Sequence, residues 1–542
     1  MGKNELIDDR SDCLSWGDTV FLHLEREGMP LNVACVAVCE GKIDFKDCVQ
    51  FVESKLPLLP RYLKRLVPPP LNIGLPSWQY DPAFDIRNHM HEVSLKHGSE
   101  AELRALAGKL LGTVMDRQHP LWDITLVHGL KGNRSGLIIR LHHCLADGVG
   151  GVAFMNVLMD ASPIVPRAPK RKVKLHIPPP PDVLTSLTNN WVDSLSDIFN
   201  RILAALADAT RIAGQFAANG VNLSSEQLVR LIPEFASPTE RLRFNVLYRG
   251  PQTFATAQIP LAEIKAIRKT CGASVNDVIL TLVTATVRRY VELHGDSVKG
   301  RLFRMMVPVN LRCDEASSEL GNHISLIPVT IPLDIRDPRK LLAAVHQRTD
   351  FLKRVNAAEL LSLTGSLLGM LPTATQALAG QILNQLPITP FNMVCTNVPG
   401  PQVPLYFLGH KMLHCFPYVP VGGEMSLNCA ILTYDGTAYF GFTGDVQVAP
   451  DLHRLEELLK ESFLELRNAA GIKPAHKKTA KKRIKTTARK APMRGESPVA
   501  PKAAKAPVLE SAPPPPPIAP AETTLELEPP AQEEKVLVEL IA

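Results

Sequence analysis

The sequence predicts a layered α/β (α+β) protein made of two domains. Three observations lead there. Short β-branched strands and amphipathic helices are mixed over residues 1–160 and again from Arg243 onward. A proline-rich basic stretch, residues 162–182, lies between the two regions. The 542 residues, 45% of them hydrophobic, also exceed what one ordinary core holds.

The first segment, MGKNELIDDRSD, is polar and acidic and lacks the apolar run of a secretory signal. Leu6 stands where a myristoylation motif wants Ser or Thr. Residues 12–24 read as a short amphipathic helix capped by Ser15. Asn32–Val38 reads as a strand, and Phe45–Leu66 keeps helical spacing almost to Pro68. A strand is expected over His91–Leu95, then a helix over Ser99–Asp116 with Ser99 and Glu102 as a capping box. Pro120-Leu121-Trp122 opens a strand at Ile124–His128. The apolar run Gly136–Arg140 is a buried strand leading into His142 and His143, and Gly150–Asp160 is a helix.

The prolines of 162–182 prevent regular structure, and Arg167, Lys170, Arg171, Lys172 and Lys174 make it a basic surface linker. Beyond it Leu184, Leu187, Trp191, Leu195, Ile198, Ile202 and Leu206 draw one apolar stripe. A helix packed on its own protein is the expectation. Asp193, Asp197 and Asp208 outnumber Arg201 and Arg211, which is the wrong balance for an interfacial membrane helix.

In the second region Leu261–Lys269 is helical, and Ser274-Val275-Asn276-Asp277 caps a longer helix to about His294. Arg304–Asn310 is a strand running into Leu311-Arg312, Leu320-Gly321-Asn322 a loop, Ser325–Ile331 a strand and Pro338–Val355 a helix. Met425–Tyr434 and Thr437–Gly444 form a hairpin about Asp435-Gly436, and Asp451–Ala469 is the last helix. The expected divisions are therefore 1–160, a connector 161–235, 236–472, and a Lys/Ala/Pro-rich tail 473–542 that cannot bury a core and should be disordered. Leu360–His410, 51 residues, contains no Asp, Glu, Lys or Arg. Buried core, a wall of an apolar tunnel and a patch that dips into lipid are all compatible with it.

The net charge of +6 is mostly in the tail, where thirteen Lys/Arg face eight Glu. The remaining body is nearly neutral, which argues against a nucleic-acid enzyme. Ten scattered cysteines with no CxxC pair fit a reduced compartment better than a disulfide framework. No stretch offers about 20 uninterrupted apolar residues, so no spanning helix is expected.

The chemistry-bearing stretch is His142-His143-Cys144-Leu145-Ala146-Asp147-Gly148, two histidines at a strand end with an aspartate four residues on. Histidine titrates near neutrality and a carboxylate can fix its tautomer, so the pattern suits a general base. A packed core histidine is the plain alternative. A metal site is incomplete, because adjacent strand residues point to opposite faces.

Seven stretches in order carry a resemblance: LSWGDTVFLHLE (14–25), Pro120-Leu121-Trp122, HHCLADG (142–148), Val275-Asn276-Asp277, VPVNLR (307–312), Leu320-Gly321-Asn322 and TNVPGP (396–401). Together they resemble the bacterial wax ester synthase/diacylglycerol acyltransferase family over roughly residues 10–470. The resemblance implies two chloramphenicol acetyltransferase-like domains, mixed sheets flanked by helices, with an active-site tunnel at their interface. It implies acyl transfer from acyl-CoA to diacylglycerol or a long-chain fatty alcohol, with no cofactor beyond the acyl-CoA co-substrate and no metal. His143 would be the general base, His142 and Asp147 structural support, and Arg312 a partner for Asp147. Pro120, Leu121, Trp122, Gly148, Asn397, Pro399 and Gly400 would shape the substrate side. Asn276 would lie near the reacting centre, and Asp277 would be a cap or an ion-pair member. Cys144 need not be a nucleophile. A cytoplasmic enzyme resting on the inner face of the membrane or on lipid droplets is the implied setting. The alternatives are another HHxxxDG acyltransferase, against which the absence of a carrier domain speaks, and a non-catalytic lipid-surface protein.

Overall fold

The computed structural model describes residues 12–68, 76–164, 177–178, 239–310, 324–355, 357 and 391–474. Most of the basic linker, the whole of the striped helix, Leu311-Arg312, the Leu320-Gly321-Asn322 loop, most of the uncharged span and nearly all of the tail lie outside the described residues.

In chain order the first half contains β1 (Asp12–Cys13), α1 (Trp16–Leu24), β2 (Asn32–Glu40), α2 (Phe45–Lys55), β3 (Lys64–Val67), β4 (Ser77–Tyr80), β5 (Met90–Ser94), α3 (Glu100–Leu111), β6 (Trp122–Leu130), β7 (Arg134–His142) and α4 (Gly148–Leu158). The second contains β8 (Gln252–Pro260), α5 (Leu261–Cys271), α6 (Val275–Leu293), β9 (Leu302–Asn310), β10 (Ile324–Pro332), α7 (Pro338–Arg354), β11 (Met393–Pro399), β12 (Tyr406–Phe407), β13 (His410–Tyr418), β14 (Leu427–Tyr434), β15 (Thr437–Asp445) and α8 (Arg454–Ala469). Each half is built on a six-stranded mixed sheet. The first has the order β12-β13-β2-β7-β6-β5 and the second β10-β9-β11-β14-β15-β8, while β1, β4 and β3 make a small third sheet.

Local chemistry explains most boundaries. Ser15 accepts the Asp18 amide and starts α1, and Ser274 with Asp277 forms a reciprocal capping box at α6. Asp435 and Gly436 both take positive φ, the conformation that a two-residue hairpin between β14 and β15 needs. The helix expected over Phe45–Leu66 stops at Lys55. Pro57 and Pro60 break it into two short 3-10 turns, and Lys64–Val67 turns into a strand. The helix from Ser99 ends at Leu111 with Gly112 as its cap. Glu102 does not close a capping box there. Its carboxylate accepts the amides of Lys96, His97 and Gly98 instead.

Strands β8 and β13 carry weak periodicity and were not expected; β11 lay hidden in the uncharged span. Within the described part of that span, Met393 and Cys395 are fully buried in the core, whereas Val403 is 53% exposed. β13, paired with β12, adds to β2 of the first sheet, although β11 and β14 on either side of the two in sequence belong to the second sheet. The chain therefore crosses from one sheet to the other between β11 and β13. One large apolar cluster lies around α6, β9 and β14, another around β2, β7 and α4, and a smaller one joins α3 and β2 to Phe254 of β8 and Tyr418 of β13.

The two sheets come close at Gly441 of β15. A Cβ added there would lie 1.8 Å from the Pro417 carbonyl oxygen of β13. Neither backbone can yield without breaking ladder bonds, so Gly441→Ala is expected to destabilise the protein by about 3 kcal/mol, the upper range of overpacking. A denaturant melt of the variant checks this, and an unchanged midpoint would show that the sheets do not meet there.

Candidate active site

The HHxxxDG stretch sits where β7 ends between two neighbours. On one side β2 pairs Asn32 with His142, and on the other β6 pairs Trp122 with Leu141. At the strand end the His142 amide donates to the Leu121 carbonyl (3.0 Å) and the His143 amide to the Leu31 carbonyl (2.9 Å). The turn begins at His143. Asp147 then caps α4, its Oδ1 accepting the Gly150 amide. Its carboxylate thus has a local task, and its expected partner Arg312 lies outside the described residues. Gly148 lets β11 come close: a Cβ there would meet Val398 at 2.7 Å.

His142 is fully buried. Its Nδ1 accepts the Cys144 amide (3.1 Å), so the proton sits on Nε2, which faces the Glu25 carboxylate at 3.2 Å. Glu25 is buried as well and is shared: Oε1 accepts the Leu31 amide (3.0 Å) and Oε2 the Arg117 guanidinium (3.0 Å). Burial alone would raise its pKa, but His142, Leu31 and Arg117 together outweigh it and hold the carboxyl at about 2. With both ring nitrogens engaged, His142 is a support.

His143 differs in every respect. Its ring stacks on Phe21 of α1, centroids 3.9 Å apart at 12°, and keeps partial exposure although densely surrounded. Burial lowers its pKa to about 4; its own backbone carbonyl opposes the shift and the neighbouring His142 adds to it. Cys144, by contrast, is buried in the apolar cluster, and burial with the nearby Asp18 and Glu25 pushes its thiol well up. A protonated thiol with no access is no nucleophile.

Asn276 and Asn397, named separately from the sequence, are brought together. The Asn397 Nδ2 donates to Asn276 Oδ1 (3.2 Å), joining the first turn of α6 to β11, one residue from the Val398–Gly148 contact. Asn397 Oδ1 is buried with no hydrogen-bond partner among the described residues. Pro399 and Gly400 continue beside β14, where the Gly400 amide meets the Thr433 hydroxyl at 3.3 Å. Pro120, Leu121 and Trp122 are buried. The Trp122 indole donates to the Tyr62 carbonyl (2.7 Å) and its ring stacks on His89, so these residues brace the motif strand from behind. Asp277 is both cap and ion-pair member. It accepts Ser274 N and His346 Nδ1 on Oδ2 (2.8 Å each) and the Thr349 hydroxyl on Oδ1 (2.6 Å). Burial pushes Asp277 up, but those donors prevail and hold it below the usual range.

Phe21, Glu25, Arg117, His346 and Thr349 were not singled out from the sequence. Phe21 and Glu25 lie four apart in LSWGDTVFLHLE, a spacing that places them on one helix face, and this was the available signal. Arg117, His346 and Thr349 offered none.

Residues 14–279 match the family model for the wax ester synthase/diacylglycerol acyltransferase catalytic domain, and residues 320–467 match that for the C-terminal domain of the same family. A probable diacylglycerol O-acyltransferase of Mycobacterium tuberculosis is 26% identical over 438 residues, 80% of this chain and 91% of the relative. A second, putative one from the same organism is 28% identical over 470 residues, 84% and 99%. The solved wax ester synthase/diacylglycerol acyltransferase from Marinobacter aquaeolei VT8 superposes with a TM-score of 0.58 at 21% identity, covering 85% of this chain and all of that one. The first condensation domain of the calcium-dependent antibiotic synthetase gives 0.51 at 14% identity, 85% and 97%. The fold is thus the two-domain mixed α/β fold of those proteins.

Two pH effects are expected. The unfolded chain protonates His143 near its ordinary 6.5 and the folded one only near 4, so stability drops as pH falls from 6.5 to about 4. Glu25, held at about 2 against an ordinary 4.5, adds a further loss as pH falls through that lower window. Thermal melts of wild type and His143→Ala from pH 7 to 4 check the first effect. The variant should show the shallower decline, and equal slopes would refute the burial of a neutral His143.

Proposed function

This chain belongs to the wax ester synthase/diacylglycerol acyltransferase family, and from that premise we propose that it moves a fatty acyl group from acyl-CoA to a lipid alcohol with His143 as general base. Diacylglycerol as acceptor yields triacylglycerol, and a long-chain fatty alcohol yields a wax ester. The observation that carries the reading is the His143 ring, neutral, stacked on Phe21 and still accessible at the end of β7.

An alcohol is a poor nucleophile while it keeps its proton. The His143 ring takes the hydroxyl proton as the oxygen attacks the thioester carbonyl, a contribution of about 10²–10⁴-fold for a positioned base. The tetrahedral oxyanion needs a fixed donor. With the amides oriented as their mutual hydrogen bond requires, the Asn276 NH₂ is the candidate, steadied by Asn397 and by the Asp277 cap beside it. The imidazolium then returns its proton to the departing CoA thiolate as the C–S bond breaks. The attacking oxygen comes from the acceptor, so no covalent enzyme intermediate and no cofactor beyond acyl-CoA are needed. Cys144 has no part in it.

Both substrates are lipids, so the reading extends to peripheral binding at the inner face of the membrane or at lipid droplets. Among the described residues no single helix is long and apolar enough to cross a membrane. The basic cluster of 167–174 supplies charge that suits an anionic lipid surface.

Purified protein given palmitoyl-CoA with dioleoylglycerol or with hexadecanol should release CoA thiol with either acceptor. His143→Ala is expected to lose about 10²–10⁴-fold in kcat, and equal rates in variant and wild type would remove the base assignment. Flotation with anionic liposomes is expected to carry the protein upward. A protein left wholly at the bottom of the gradient removes the membrane part of the proposal.

A further inference from the structure

We infer that Glu25 is the positioning residue for the base, acting through the His142 ring and the Leu31 backbone. The inference rests on His143 being that base. Three contacts of Glu25 support it, and each ends on something that holds His143. Glu25 Oε1 accepts the Leu31 amide (3.0 Å), and the Leu31 carbonyl accepts the His143 amide (2.9 Å). Glu25 Oε2 faces His142 Nε2 at 3.2 Å. That fixes the tautomer in which Nδ1 accepts the Cys144 amide, the peptide group just after His143. The Glu25 amide donates to the Phe21 carbonyl (3.1 Å) and closes α1, the helix whose Phe21 ring stacks on His143.

The Glu25 carboxylate therefore ties together the strand-end partner of His143 and the turn that follows it, while the backbone of the same residue closes the helix that carries the ring beneath it. The arrangement follows the logic of a carboxylate that orients a catalytic imidazole, displaced by one residue. The carboxylate holds the neighbour, and the neighbour holds the peptide of the base. Its charge has a second effect. His143 becomes an imidazolium in the proposed reaction while lying in a site that disfavours charge. Glu25 is 1% exposed, and its cationic partner Arg117 is 43% exposed, so solvent screens the arginine more than the carboxylate. Negative potential thus remains near the place where positive charge forms. Glu25 touches no reacting atom, so its effect should fall on the chemical step and not on binding.

The test uses the full-length enzyme with palmitoyl-CoA and dioleoylglycerol. Glu25→Gln keeps an acceptor for the Leu31 amide and removes the charge. Its kcat is expected to fall roughly 10- to 100-fold, part of what a positioned base contributes, with KM for palmitoyl-CoA within about threefold. Combined with His142→Ala, it should cost little beyond that variant alone, since both act on one turn. Wild-type kcat in Glu25→Gln, or losses that simply multiply in the double variant, overturns the inference. If circular dichroism shows that Glu25→Gln does not fold, Glu25→Asp carries the test. It keeps the charge but shortens the reach to Leu31, so a lowered kcat at unchanged KM is expected and a wild-type kcat overturns the inference. His143→Ala in the same assay separates the two readings. An active His143→Ala removes the base itself. An inactive one beside fully active Glu25 variants removes only the positioning role.

Discussion

The amides of His142 and His143 leave β7 in opposite directions, one to the Leu121 carbonyl and the other to the Leu31 carbonyl. This pair of hydrogen bonds determines where the strand stops and which ring enters the site. Both are buried, where an unmade backbone bond costs about 1–3 kcal/mol, so the turn has little freedom to shift register. Everything else at the site is organised around it. The buried Pro120-Leu121-Trp122 braces one flank, α1 supplies Phe21 and Glu25 on the other, and Asp147 converts the turn into the start of α4.

A second constraint comes from the chain crossing between sheets. β11 pairs with β9 and β14 in the second sheet, while β13 pairs with β2 in the first. The short connection between them holds the Asn397 wall against the Gly148 turn. Close approaches at Gly148 and Gly441 leave no room for a side chain at either point. β11 of the second sheet is thereby held against the HHxxxDG turn of the first.

The electrostatic design is a compromise. Burial keeps His143 neutral at physiological pH, which suits the proposed base, but it also weakens that base and penalises the imidazolium that the proposed reaction would form. Fixed partners answer the penalty: a stacked aromatic ring, a backbone carbonyl within the residue, and a carboxylate one residue removed. His142 illustrates how strongly neighbours divide labour between identical side chains. One histidine has both nitrogens engaged and supports. The other, stacked on Phe21 and half-buried, is the proposed base.

Much of this was legible in the chain. Polar caps at Ser15 and Ser274, the Asp435-Gly436 turn and the alternation of strands and helices specified two α/β regions, because caps, turns and periodicity are local chemistry. The HHxxxDG run and its companion motifs carried the family and the candidate base. The sequence also paired Asn276 and Asn397 with the same centre, though not with each other. What it could not carry was long-range. Nothing in His410–Tyr418 says that it pairs with Asn32–Glu40, since strand pairing depends on which partner lies alongside after the chain has folded. Pro57 and Pro60 outweighed a helical period that continued past them. Glu25 reads as the polar end of a surface helix until burial against His142 makes it the charge beneath the motif. By itself the sequence determined most of the elements and the candidate for the base, through interactions that span a few residues. Only the tertiary structure decided how that base is held, because the groups that hold it come from residues 21–31 and 121 and meet His143 through contacts that no local pattern encodes.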